Sequence, residues 1–264
     1  MQNHISARRL FDRRLFTLII SGSLAMGLSA CGDSDDPASP NTSETARVRA
    51  IHLSPDAPAV DIFLTSPAGA PSRAASGVAF PNTITYATVD AGTYQVDVSA
   101  AGSPASDAVL SVPGLAFEAD RSYTAVAYNN LGSIAALALE DDYTNLASGN
   151  LRVRAIHTAV GVGEVDIWNI PATGSPAPLY TNVAFGAVGD YLDLPAGAYT
   201  LGFDLDNDAN PDVVFELPDL PAGTVANVFA VTDKDGNVFL QAQLETGAAA
   251  KIEPKMERSP ARFN

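Results

Sequence analysis

The chain has 264 residues, 47% of them apolar and only 17% charged, with a formal net charge of −15. That apolar content can build one large core or two small ones, while so acidic a chain repels phosphate backbones, which argues against nucleic acid as a partner. The single cysteine excludes an internal disulfide framework.

Residues 1–30 read as a lipoprotein signal peptide. Arg8, Arg9, Arg13 and Arg14 precede the apolar run LFTLIISGSLAMG, Leu15 to Gly27. That run has the length of a signal core and is too short to cross a bilayer as a helix. The stretch LSAC, Leu28 to Cys31, follows it and resembles the bacterial lipobox. The resemblance implies that Cys31 becomes the acylated N-terminus, carrying palmitate-type chains. Two or three chains anchor stably where one binds only marginally. Gly32, not Asp, follows the cysteine, which points to the outer membrane, on its periplasmic or surface face. DRRLFTL leaves the general secretory and twin-arginine routes both open. Residues 31–46 are acidic, small and proline-bearing, and are expected to form a disordered tether.

The hexapeptide RVRAIH occurs at Arg47–His52 and again at Arg152–His157, 105 positions later. The same shift lays VDIF at Val60 on VDIW at Val165, and GVAF at Gly77 on NVAF at Asn182. It also matches Tyr86 with Tyr191, AGTY at Ala91 with AGAY at Ala196, VPGL at Val112 with LPDL at Leu217, and Leu139-Glu140 with Leu244-Glu245. No gap is needed, so residues 47–142 and 152–247 read as a tandem duplication. In RVRAIH, Val48, Ala50 and His52 share one face and Arg47, Arg49 and Ile51 the other. VDIF keeps Val60 and Ile62 together and turns Asp61 away. TYQVDV and YTLGFDL alternate in the same way, whereas SYTAVAY and VANVFAV are apolar runs suited to central strands. Asp235-Gly236 predicts a hairpin. About seven short strands per repeat predict an all-β chain of two tandem immunoglobulin-like or transthyretin-like β-sandwich domains. Phe80 and Phe185, and Phe63 with its counterpart Trp168, are expected in the cores. Residues 248–264 are expected to be a disordered tail.

VRAIHLSPDAPAVDIFL, Val48 to Leu64, resembles the signature of the 4397 family of domains of unknown function. The resemblance extends over residues 47 to about 245. It implies a secreted or lipid-anchored bacterial protein with tandem domains, and no particular activity. The second repeat departs from it, with HTAVGVGEVDI in place of the Ser-Pro-Asp-Ala-Pro loop.

Candidate chemistry is sparse. Beyond the signal, the histidines are His52 and His157, at equivalent positions. Either could serve a hydrolase together with Asp61 or Asp166, but equivalence in a duplicated scaffold favours a histidine that bonds backbone at the end of its strand. One repeat offers too few His or Cys ligands for zinc, and the common hydrolase and phosphate-loop motifs are missing. Ser54 to Pro58, SPDAP, reads as a stiffened turn in which Ser54 and Asp56 bond nearby backbone. In DLDNDANPD, oxygen-bearing residues fall at every second position: Asp204, Asp206, Asp208, Asn210 and Asp212. Two readings stand: a weak calcium site, or a solvated acidic loop that discourages edge pairing. Ala209 stands where a calcium loop has glycine, and Phe215 where it has a bidentate glutamate. The sequence thus predicts a non-catalytic envelope protein, held on the membrane through Cys31, with an envelope protein or glycan as partner and no required cofactor.

Overall fold

The computed structural model describes residues 44–67, 69–206 and 208–257. The signal peptide, Cys31 and residues 31–43 of the expected tether lie outside them, as do residues 258–264.

The described chain is all-β. The first repeat contributes β1 (Thr45–Leu53), β2 (Val60–Thr65), β3 (Ser72–Val78), β4 (Ala87–Asp90), β5 (Gly92–Ala100), β6 (Leu110–Phe117), β7 (Ser122–Tyr128) and β8 (Ala135–Glu140). The second contributes β9 (Asn150–His157), β10 (Val165–Asn169), β11 (Ala177–Val183), β12 (Leu192–Pro195), β13 (Gly197–Asp204), β14 (Val213–Leu220), β15 (Val225–Thr232) and β16 (Val238–Leu244). Two further short strands follow, β17 (Ala249–Ile252) and β18 (Met256–Glu257).

Four sheets result. Each repeat has an inner sheet, ordered β4-β1-β7-β8 or β12-β9-β15-β16-β17, and an outer sheet, ordered β3-β2-β5-β6 or β11-β10-β13-β14-β18. Strand order is the same in both repeats up to the added edge strands. In each, the RVRAIH strand runs parallel to the apolar strand beside it, β1 with β7 and β9 with β15. Val48 and Val153 occupy equivalent positions. So do Tyr94 and Tyr199, whose hydroxyls donate to the backbone carbonyls of Asp90 and Pro195, four residues upstream.

Three apolar clusters set the layer order. One joins the inner and outer sheets of the first repeat, through Val48, Ala50, Val60, Ile62, Val96 and Val98. A second does the same in the second repeat, through Val165, Ile167, Leu201, Phe203, Phe215 and Leu240. The third lies between the two inner sheets and holds Ile51, Leu53, Val126, Ile156, Phe229 and Phe239. The layers therefore run outer, inner, inner, outer, and each inner sheet is buried on both faces. This is why RVRAIH is written twice. Its Val and Ala face their own sandwich, while its Arg and Ile face the other repeat.

The strand pairings correct the ungapped alignment. Val98 pairs with Leu110, but its counterpart Phe203 pairs with Val213, so the acidic connection is two residues shorter than its equivalent. Tyr128 pairs with Ala135 and its counterpart Val231 with Phe239, so the next hairpin is one residue longer in the second repeat. Leu139 therefore corresponds to Gln243, not to Leu244. Loop-length changes leave the ladders intact, since connections tolerate insertion and deletion.

The expected disordered tail is also corrected. β17 pairs with β16 and β18 with β14, so this segment adds an edge strand to both sheets of the second repeat. Ile252 packs on the core and Lys255 pairs with Glu216. Backbone pairing with a free edge needs no apolar pattern, so a short polar segment gave no signal. Nor is Phe185 a core residue: it is 38% exposed, against Tyr128 and the His157 ring. Phe80 meets Phe239 of the other repeat at 6.1 Å between ring centres. Phe63 is buried as expected, at 6% exposure, with the Arg73 guanidinium over its ring at 5.2 Å, and its counterpart Trp168 is half-buried.

Candidate functional site

His52 is the penultimate residue of β1 and His157 the last of β9, and each is 1% exposed. His52 Nε2 lies 3.2 Å from the Pro58 carbonyl, and His157 Nε2 lies 2.8 Å from the Gly163 carbonyl. These partners are equivalent in the two repeats, and each histidine ties its strand end to the loop that follows. Burial lowers the pKa of both rings, opposed by the bond to the carbonyl.

The aspartates that could have served them are used elsewhere. Asp61 Oδ1 accepts the Gly77 amide at 2.8 Å, and Oδ2 accepts the Gly102 amide at 3.0 Å. The Gly77 bond is the first cause, and the Gly102 bond the second, of a lowered Asp61 pKa. Asp166 accepts the Asn182 amide at 2.6 Å. Gly77 and Asn182 both take positive φ, +63° and +53°, in β3 and β11. The VDI and G/N-VAF motifs are thus one device: a carboxylate that holds a left-handed backbone position, where Gly and Asn are favoured.

The SPDAP loop differs from its sequence reading. Asp56 accepts the amide of Leu131, tying this loop to the β7–β8 turn at 2.7 Å. Ser54 is fully buried, and its hydroxyl has no partner among the described residues.

The acidic loop joins β13 to β14. Carboxylate oxygens of Asp204, Asp206 and Asp208 lie within 4.8 Å of one another. Two oxygens on opposite sides of a calcium ion at 2.3–2.6 Å stand at most about 5 Å apart, so this spacing fits one such ion. Ala209 supplies the turn that glycine usually makes, at φ +66°. The other expected ligands are not gathered. Asp212 accepts the Leu205 amide at 2.8 Å, and Asn210 donates its side-chain amide to the Asp208 carbonyl at 3.2 Å. Phe215 is fully buried in the core, and Glu216 pairs with Lys255. Asp204 is also fully buried and accepts the Ala209 amide at 2.8 Å. Desolvation, then the charges of Asp208, Asp212 and Asp204, raise the Asp206 pKa.

Sequence reading missed a buried charge cluster between the repeats. Asp141, its side chain 1% exposed, lies 2.8 Å from Arg154 of the second repeat and 3.5 Å from Arg49 of the first. It also accepts from Tyr86 and Thr124, each at 2.5 Å, and from Asn227 at 2.9 Å. Arg49 reaches across to the Leu244 carbonyl at 2.6 Å. Its guanidinium stacks over Tyr86 at 4.5 Å, and that of Arg154 over Tyr191 at 4.4 Å. The repeated Arg and Tyr thus make the same stack in each half, and one aspartate joins the halves. The signal was present in the sequence: the second Arg of each RVRAIH had to face something once both faces of the strand were buried.

Residues 69–168 match the family described as Domain of unknown function (DUF4397). The match runs from the β3 region of the first repeat to β10 of the second and omits Val48–Leu64, which carried the resemblance. A window close to one repeat length holds one strand of each kind wherever it starts. No curated protein matches the chain. Among solved structures, the Bacillus anthracis TIE protein aligns at 10% identity and a TM-score of 0.23, over 80% of this chain and 44% of that one. The chain therefore spans less than half the length of that structure.

Proposed function

We propose that this protein is a lipid-anchored, non-catalytic binding or structural module of the bacterial cell envelope, built from two immunoglobulin-like or transthyretin-like sandwiches. The observation that carries the reading is the use made of both histidines. Each is buried and bonded to a backbone carbonyl, and the aspartates expected to serve them, Asp61 and Asp166, accept the amides of left-handed residues. A general base needs reach to a substrate proton, and neither ring offers it at the surface. The tyrosine that returns its hydroxyl to backbone four residues upstream favours the immunoglobulin-like variant, where such a bond marks a strand corner.

The anchor reading rests on LSAC and the lone Cys31. It assigns the protein to the outer membrane, with the sandwich loops available to an envelope protein or glycan. The converging carboxylates of Asp204, Asp206 and Asp208 support an accessory calcium ion of weak affinity. The test combines labelling and capture. Wild-type protein should incorporate labelled palmitate and fractionate with membranes, and Cys31→Ala should do neither. Beads carrying residues 44–257 should retain one defined envelope component, displaced by the same fragment in solution. Normal membrane partition of Cys31→Ala would overturn the anchor, and turnover of ester or glycosidic substrates lost in His52→Gln would overturn the non-catalytic reading.

A further inference from the structure

The two repeats share a fold but not an interior. Between the sheets of the first lies a cavity of about 220 Å³. The corresponding interior of the second, lined by Ala155, Ile167 and Leu201 among others, is about 40 Å³. Side-chain size accounts for the difference. The inner sheet of the first repeat lines its cavity with Ala50, Ala125, Ala127, Ala136 and Ala138. The strand registers put Val228 in the place of Ala125 and Leu240 in that of Ala136. On the facing sheet, Phe203 and Phe215 replace Val98 and Val112. The edges differ as well. In the second repeat β17 and β18 cover β16 and β14, with Ile252 packed inward. The cavity of the first repeat lies against β8 and β6, the equivalent strands, to which no further strand is added among the described residues.

One wall of this cavity is polar. His52 lines it, on the same face of β1 as Val48 and Ala50. The Pro58 carbonyl can only accept, so the ring proton sits on Nε2 and Nδ1 is a bare acceptor. Burial favours that neutral ring. Nδ1 is buried and has no partner among the described residues. In the second repeat the equivalent atom accepts the Ala159 amide at 3.3 Å. Ser54 stands where the second repeat has Ala159, and its buried hydroxyl is likewise without a partner. Buried polar atoms are nearly always paired. Here the nitrogen of a cavity-lining histidine goes unpaired, whereas in the filled repeat its counterpart accepts a backbone amide.

We propose that the first repeat binds a compact apolar molecule carrying one hydroxyl, a phenol or a short-chain alcohol, whose hydrocarbon part fills the alanine-lined cavity and whose O–H is donated to His52 Nδ1. An apolar cavity of about 150 Å³ holds benzene, so this one accommodates a methylated phenol. The site is internal to the first sandwich and depends neither on the lipid anchor nor on the partner of the loops.

The test is a titration of the full-length chain with p-cresol and, separately, with toluene, by calorimetry and by nitrogen NMR of the histidine rings. p-Cresol should bind at one site and shift the His52 Nδ1 resonance, leaving His157 unmoved. Toluene should bind about fivefold to tenfold more weakly, the worth of one buried hydrogen bond. Ala125→Val with Ala136→Leu, which imports the second repeat's own residues, should weaken p-cresol at least tenfold while the melting temperature holds or rises. Absence of p-cresol binding at millimolar concentration, equal affinity for the two probes, or full binding by the filled variant would each overturn the proposal.

Discussion

Replacing Asp141 with alanine tests the idea that the repeats are joined through one charge. The carboxylate serves Arg154 at 2.8 Å and Arg49 at 3.5 Å, and the two arginine side chains are 8% and 1% exposed. Asp141→Ala strands both guanidinium groups in the layer between the inner sheets, together with the Tyr86, Thr124 and Asn227 donors. Breaking a buried pair by removing one partner costs about 3–5 kcal/mol, mostly the penalty of an uncompensated charge. For a body of this size each kcal/mol lowers the melting temperature by about 2–4 °C, so a fall of roughly 6–20 °C is expected. Differential scanning calorimetry should show it, and the single transition expected of a joined body should broaden or split as the repeats uncouple. The companion variant Arg49→Met, Asp141→Leu, Arg154→Met removes charge and counter-charge together and should recover most of the loss, because no charge is left buried without its partner and only the neutral Tyr86, Thr124 and Asn227 donors lose an acceptor. A loss below about 1 kcal/mol in Asp141→Ala, or a triple variant no better than the single one, would refute the assignment of the cluster as the joint.

Alkaline unfolding should begin near pH 10. Burial raises the pKa of Tyr86 and Tyr143 and pushes Tyr191 up to about 12, so the unfolded chain releases its phenolic protons first and stability falls as pH climbs above the ordinary tyrosine value; ionisation absorbance at 295 nm should rise together with loss of the β signal, not ahead of it. The acidic loop should bind calcium at millimolar levels with a small rise in melting temperature, and Asp206→Ala with Asp208→Ala should abolish that rise; no heat of binding in the wild type would remove the metal reading. Gly77→Asn should be nearly neutral, because Asn182 already occupies the equivalent left-handed position, whereas Gly77→Val should cost about 1–2 kcal/mol by urea titration. Truncation after Gly247 should destabilise the second repeat more than the first, as read by slower-exchanging amides turning fast in β14 and β16.

The duplication and the strands were legible because both depend on pattern: a repeated hexapeptide, alternation in VDIF and YTLGFDL, and the Asp-Gly hairpin, which forms between β15 and β16 with Gly236 at φ +84°. What pattern could not show was where the second face of a strand goes. Alternation put Arg47, Arg49 and Ile51 on one face without saying what covers it; Arg49 and Ile51 are each 1% exposed, because a second copy of the same sheet lies against them. β17 and β18 escaped notice for a related reason: edge pairing is a backbone property. Of the acidic loop, the sequence showed the ligand-type residues but not which of them converge. Asp212 and Asn210 spend their polar groups on the loop itself.

The two repeats serve as controls for each other, and the comparison separates two kinds of residue. Those that agree hold structural posts: Asp61 and Asp166 under a left-handed residue, Tyr94 and Tyr199 on an upstream carbonyl, Arg49 and Arg154 stacked on Tyr86 and Tyr191 and turned to one aspartate. Such posts are fixed by geometry and say little about what either repeat does. Those that differ lie where the fold is indifferent, in the loop after the histidine, in the acidic connection and in the volume of the interior. The second repeat fills its interior with Phe203, Phe215 and Leu240 and gains a covering strap, as a stability-driven core would. The first has Ala125 and Ala136 in the places of Val228 and Leu240, Val98 and Val112 in those of Phe203 and Phe215, and an unpaired imidazole nitrogen. Large-to-small differences of this kind cost stability, and the first repeat bears that cost at the positions where a ligand would repay it.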